Sequence, residues 1–181
     1  MKTILSLTLT ACATIALPTT LLLNSTIVPA AAQTRQASLK SYSIRNLTLK
    51  APSHWIDYSR VSSDSITLYN QKMPKRGGGA APKNMIKLQT SFYEGDWQSV
   101  LKPRFEREDS ILKTETLTIN GKPALRRYNG PNDIGDFENT VTTFIRYSDT
   151  EIASISTYYN ADNPYAEGFI NQIHNSIALR K

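Results

Sequence analysis

Apart from its hydroxyls, this 181-residue chain offers few side chains with the chemistry of a nucleophile, a base or a metal ligand: one Cys, two His and 15 acidic residues. Serine and threonine are plentiful, but no Gly-x-Ser-x-Gly turn presents one as a nucleophile. An imidazole acting as a general base needs a partner that orients it. His54 sits beside Trp55 at a strand exit and His174 follows Ile173 in a helical stretch, neither with such a partner in sequence. Both are read as surface or packing residues, no catalytic residue is assigned, and no enzyme is expected.

Two loops have the composition of ligand sites. Between Asn129 and Glu138, Asp133, Asp136 and Glu138 accompany two asparagines and two glycines. Carboxylates and amides in a loop are hard oxygen donors that suit calcium, although the spacing is not that of an EF-hand, and a solvated loop is the competing reading. No other cofactor is expected. The run Arg76-Gly77-Gly78-Gly79-Ala80-Ala81-Pro82-Lys83 is glycine-rich between cations. It lacks the Gly-Lys-Ser/Thr ending of a phosphate loop, so a plain inter-strand loop is expected.

Charge is more informative. With 21 basic residues against 15 acidic, the chain carries a formal +6. The segment from Gln71 to Lys87 contains Lys72, Lys75, Arg76, Lys83 and Lys87 and no acid. Such a cluster favours anionic partners, with a strength that falls as salt rises. Those five residues are the expected partner-binding set, facing a membrane protein complex or an anionic membrane surface; a merely solvated loop is the alternative. No nucleic-acid recognition motif is present, and none is expected to bind. Arg126 and Arg127 are strand neighbours and must point to opposite faces; one is expected to be exposed and the other tucked or paired.

The first 32 residues read as a signal peptide. Met1-Lys2 is followed by an apolar stretch from Ile4 to Leu23, broken by Pro18, and the segment ends Ala30-Ala31-Ala32-Gln33 with no acidic residue before it. Small residues at the first and third positions before the cut place cleavage after Ala32. The interrupted apolar run falls short of the ~20 residues of a membrane span. Leu9-Thr10-Ala11-Cys12 offers a competing reading, a lipobox that would make Cys12 a lipidated N-terminus. Cleavage after Ala32 leaves a mature chain without cysteine, compatible with an oxidising compartment, either periplasm or thylakoid lumen.

The elements that must position these groups are mostly strands. Residues 33–41 read as a flexible arm and 42–181 as one domain, a size that supports a core without staples. Tyr42, Ile44, Leu47 and Leu49 suggest one strand ending at Pro52. Alternation at 66–69, 86–92, 117–128, 141–147 and 152–159 suggests further strands, with Asn120-Gly121 and Ser148-Asp149-Thr150 as hairpin turns. Asp96 is placed to cap a helix carrying Trp97, Val100, Leu101 and Phe105, with Pro103 inside it. A second helix is expected from Asn163-Pro164 through Tyr165, Phe169, Ile170, Ile173 and Ile177. The order β-β-β-α-β-β-β-β-α with hairpin connections predicts an α+β fold, an antiparallel sheet of six to seven strands with one-faced helices packed on it, and argues against a doubly wound nucleotide-binding fold.

These landmarks resemble the PsbP-like superfamily, which holds extrinsic photosystem II proteins and bacterial DcrB-like domains. Pro52-Ser53-His54-Trp55 looks like its P-x-x-W entry. Asp96-Trp97 looks like its first helix start, and Gly121-Lys122-Pro123-Ala124-Leu125-Arg126 like its G-x-x-A-x-R hairpin exit. The resemblance spans about 42–179 and implies an antiparallel sheet with helices packed on both faces, an α/β/α sandwich. It implies a non-catalytic accessory or assembly role on a membrane complex, photosystem II included. In the family's extrinsic photosystem II member the N-terminal segment serves docking and retention of calcium and chloride; the equivalent arm here is only Gln33 to Ser41. The alternative function is a small-ligand carrier with a cleft between sheet and helix, lined by residues such as Trp55, Tyr69 and Tyr128.

The export reading has a direct check. N-terminal sequencing of the protein recovered from its host should begin at Gln33, and a diacylglyceryl-modified Cys12 at that position would establish the lipoprotein route instead.

Overall fold

The computed structural model describes residues 38–59, 64–73, 81–101, 110–131 and 136–180. All of them belong to one unit, Arg35–Lys181. The leader with Cys12 and Ala32, most of the arm, Lys75, Arg76, Pro103, Phe105 and Asp133 lie outside the described residues.

The alternating run at the start of the domain is two strands, not one. β1 (Leu39–Ile44) and β2 (Leu47–Pro52) form an antiparallel hairpin in the register Ile44↔Leu47 to Leu39↔Pro52. The chain reverses at Arg45-Asn46, with Arg45 at φ 54°. Strand structure therefore begins at Leu39, within the span read as an arm. Positive φ is uncommon for a non-glycine residue. Here the Arg45 guanidinium is held by both carboxylate oxygens of Glu151 and lies 4.5 Å and 4.9 Å from the rings of Phe92 and Tyr147. Tertiary contacts thus fix a turn that carries no glycine signal.

A larger sheet follows. It comprises β3 (Ile56–Asp57), β4 (Thr67–Tyr69), β5 (Ile86–Glu94), β6 (Ile111–Ile119), β7 (Lys122–Asn129), β8 (Asn139–Arg146) and β9 (Glu151–Tyr159). Its order is β3-β4-β5-β9-β8-β7-β6, with every neighbouring pair antiparallel. The β6–β7 hairpin turns at Asn120 and Gly121, both at positive φ (47° and 81°), as a two-residue turn matched to strand twist requires. A two-residue strand β10 (Ala178–Leu179) pairs with β2, so β1, β2 and β10 form a separate three-stranded sheet. β3 and β10 are too short to carry a period in the sequence.

Two helices cover opposite faces of the large sheet. α2 (Ala166–Asn175) buries Ile170 and Ile173 against Ala124, Val141, Ile145, Ala153 and Ile155, a cluster that also takes in Leu47, Leu49 and Leu179 of the small sheet. α1 (Trp97–Leu101) buries Val100 against Leu125 and Ile152. Residues 124 and 125, like 152 and 153, are strand neighbours and so serve opposite faces. Asp96 caps α1 as its position suggests, its Oδ1 accepting from the Gln98 amide at 3.2 Å. α2 starts later than the sequence implies: Asn163 accepts from the Tyr165 amide through its side chain and from the Ala166 amide through its carbonyl, so Pro164 lies in a turn ahead of the helix. Among the described residues no helix is long and apolar enough to cross a membrane.

Arg126 and Arg127 do point to opposite faces, but both are buried, contrary to expectation. Each guanidinium reaches the carbonyl end of the helix on its own side. Arg126 donates through Nη2 to the His174 carbonyl at 2.9 Å, through Nη1 to Asn175 Oδ1 and through Nε to Thr143 Oγ1. Arg127 donates through Nη2 to the Val100 carbonyl at 2.8 Å. Cations belong at helix C-termini, where unpaired carbonyls and the dipole favour positive charge.

Replacing Arg126 by Ala would take a donor from the buried Thr143 hydroxyl and from the buried helix-end His174 carbonyl, and would release the exposed Asn175 side chain. Since each unsatisfied buried group costs about 1–3 kcal/mol, urea denaturation should show a loss of roughly 3 kcal/mol or more with the native far-UV spectrum retained before the transition.

Candidate functional site

The basic segment is anchored by a polar clamp. Asn70 Nδ2 donates to the Asn84 carbonyl at 2.7 Å, Asn70 Oδ1 accepts from the Ile86 amide, and Gln71 Nε2 donates to Asn84 Oδ1 at 3.1 Å. These bonds tie Asn70 and Gln71, just after β4, to Asn84 and Ile86 at the start of β5. The described lysines of the segment do not converge. Lys72 is exposed just beyond the clamp. Lys83 pairs with Asp162 at 2.7 Å, which holds its ammonium above the usual range. Lys87 is half-buried on β5 with its ammonium 4.9 Å from the Tyr158 ring, and desolvation pushes its pKa down. Lys75 and Arg76 lie outside the described residues.

The acidic loop is used as structure where it is described. Glu138 Oε2 accepts from the Ala161 amide at 2.8 Å, and the Asp136 carbonyl accepts from the Ala81 amide at 3.1 Å. Among the described residues no three His, Cys, Asp or Glu side chains gather as a metal site.

The two imidazoles differ. His54 is exposed. His174 is 2% exposed, with Nδ1 2.7 Å from Thr143 Oγ1 and Nε2 3.0 Å from Thr157 Oγ1. Arg126 Nε already donates to Thr143 Oγ1, so we assign the Thr143 hydroxyl as donor to Nδ1, leaving Nε2–H to donate to Thr157. The line Arg126–Thr143–His174–Thr157 stitches α2 to β7, β8 and β9. Burial first, and the Arg126 charge second, push the His174 pKa down to about 3. It is a neutral fastening inside the core, inaccessible to a substrate.

Beside that line lies a cleft of about 810 Å³ between α2 and the β6–β7 end of the large sheet. Alternation places Lys113 and Glu115 of β6 on the same face as Arg126 and Tyr128 of β7, in the cross-strand pairs Glu115↔Arg126 and Lys113↔Tyr128. Glu115 is the hub: Lys113 Nζ is 2.6 Å from one oxygen, and the Tyr128 hydroxyl donates to the other at 3.2 Å, with Arg126 Nη1 3.9 Å away. The Lys113 contact chiefly holds the Glu115 carboxyl below the usual range, opposed by burial and assisted by Tyr128. Tyr159, Asn163, Glu167 and Asn171 complete the wall. Burial, then Glu167, raise the Tyr159 phenol. Of the three aromatics expected to line a carrier cleft, only Tyr128 does so. Trp55 is buried against Phe169 and Tyr69 against Tyr58, because both belong to the core. The alternation of 113/115 and 126/128 was the signal for the missed cleft, together with the i,i+4 spacing of Asn171 and Asn175 on α2.

Fold and site together define an antiparallel α+β domain with a helix on each face of its large sheet and a polar cleft under the second helix. No family model and no curated protein matches the chain. Among solved structures it is similar to the solution structure of cyanobacterial PsbP from Synechocystis sp. PCC 6803, at 12% identity and a TM-score of 0.48, over 84% of this chain and 99% of that one. It is also similar to a crystal structure from Bacteroides thetaiotaomicron VPI-5482, at 12% identity and a TM-score of 0.46, over 81% of this chain and 49% of that one. The chain thus spans about half the length of the Bacteroides protein.

The buried imidazole sets a pH dependence. The unfolded chain protonates His174 below 6.5, whereas the folded protein keeps it neutral down to about 3. Its contribution to stability is therefore complete above pH 6.5 and is lost as pH falls from there towards 3, with a slope approaching about 1.4 kcal/mol per pH unit. Chemical denaturation across that window should show the slope, and His174→Gln should lose this one-proton component.

Proposed function

We propose that the chain is an exported, non-catalytic accessory protein that docks on an acidic face of a membrane-associated protein complex through the 71–87 segment. The observation that carries this reading is the clamp of Asn70, Gln71 and Asn84, which gives a segment with five basic residues and no acid a fixed base on the sheet. Asp162 offsets one of the five, Lys83. The withdrawal of His174 into the core supports a role without covalent chemistry. The landmarks at 52–55, 96–97 and 121–126 add the family's habit of serving membrane complexes, photosystem II among them, and the leader supports export to a periplasm or lumen.

The test is a triple replacement, Lys72, Lys75 and Arg76 to Ala, in the full chain expressed in its host. Co-purification with the partner complex should weaken strongly and the wild-type interaction should fade as salt is raised. Photosystem II subunits in the wild-type eluate would identify the complex. Vesicles containing anionic lipid are the control for a membrane surface: at about 1 kcal/mol per basic residue, three replacements would weaken vesicle binding roughly a hundredfold if lipid were the target. Unchanged co-purification of the triple variant would sink the reading.

A further inference from the structure

We propose that the cleft between α2 and the β6–β7 end of the large sheet binds a neutral polyhydroxylated ligand, a mono- or disaccharide. The inference is independent of the docking surface, which involves other residues. The volume of about 810 Å³ lies within the roughly 300–1,000 Å³ of small-molecule sites.

The charges in the cleft are balanced and occupied. Lys113 and Arg126 stand against Glu115 and Glu167. Lys113 is already on Glu115, and Arg126 directs its donors at Thr143, Asn175 and the His174 carbonyl. An anion entering the cleft would meet a lysine engaged with a carboxylate and a guanidinium whose bonds hold the fold together. A cation would have to displace Lys113 from Glu115.

Neutral hydrogen-bonding groups remain. Asn163 is 7% exposed and lines the wall; its Oδ1 accepts from the Tyr165 amide, while its buried Nδ2 has no acceptor among the described residues. A buried donor without an acceptor calls for an explanation; this one is enclosed, so an occupant would meet it only as the Asn163 side chain turns towards the cleft. Asn171 adds an exposed amide on the adjacent turn of α2, and Glu167 adds an acceptor. Tyr159 contributes a half-buried ring and a phenol. Hydroxyl groups that both donate and accept match this mixture of amides, a carboxylate and a phenol, and the C–H face of a sugar ring matches a tyrosine face. Sugars therefore fit both the charge balance and the accessible amide, carboxylate and phenol of the wall.

The experiment is a titration of the ¹⁵N-labelled mature protein with glucose, N-acetylglucosamine, sucrose and maltose, with glucuronate and inorganic phosphate as charged counterparts. At least one neutral sugar should shift resonances of residues 128, 159, 163 and 171 with a Kd on the order of 1 mM or tighter, insensitive to added salt. Asn171→Ala, at an exposed helix position, and Tyr159→Phe should each weaken that binding roughly three- to tenfold while leaving the folded spectrum intact. The proposal is overturned if no neutral sugar perturbs the cleft, if the shifts map elsewhere, if both variants bind like wild type, or if glucuronate or phosphate binds more tightly than every neutral sugar. The variants leave Lys72 untouched, so failure here does not affect the docking reading.

Discussion

Two adjacent guanidinium groups on one strand organise this domain. A buried arginine cannot be left without acceptors, because the cost of an unpaired internal charge exceeds what the surrounding packing supplies. Arg126 and Arg127 are consecutive, so the pleat sends one to each side of the sheet. Each donates to a carbonyl at the end of a helix, α2 on one side and α1 on the other. The position of β7 is thereby specified twice. A register slip of one residue would exchange the two arginines between faces and exchange Ala124 with Leu125, which serve different apolar clusters.

The cleft follows from the same constraint. Arg126 reaches across the sheet to α2 at His174 and Asn175, near the helix's C-terminal end, while Ile170 and Ile173 pack along its length. Towards the start of α2 the groups facing the sheet are polar or small: Asn163, Ala166 and Glu167 on one side, Tyr128 and Tyr159 on the other. Apolar burial holds one part of the helix down and polar groups keep open the space beside the other. Glu115 sits at the boundary, held by Lys113 and Tyr128 and close enough to Arg126 to feel its charge.

Much of this architecture was legible in the sequence where local and long-range preferences agree. The 141–147 and 152–159 runs alternate because one face of each strand is core, and Asn120-Gly121 is a turn because both residues accept positive φ. The split of the first strand was illegible for the opposite reason. Arg45 adopts a conformation foreign to arginine because Glu151, Phe92 and Tyr147 await it, and those partners are remote in the chain. β3 and β10 are two residues long and exist only because a neighbouring strand offers an edge. The partners of the described lysines at 71–87 were illegible for the same reason, since Lys83 turns to Asp162 and Lys87 to Tyr158, both remote in the chain. Trp55 and Tyr69 could not be assigned to core or cleft from their type, because a large aromatic suits either.

The small sheet places a condition on how the domain is completed. β2 lies between β1, its immediate neighbour in the chain, and β10, whose Ala178 carbonyl accepts from the Thr48 hydroxyl across a separation of 130 residues. When the polypeptide is delivered amino end first, one side of β2 keeps its hydrogen-bonding groups open until nearly the whole domain has emerged. An open strand edge invites pairing with foreign strands. The β2–β10 pairing is thus a latch engaged last, and nascent chains stalled short of it would carry an adhesive border that the finished domain conceals.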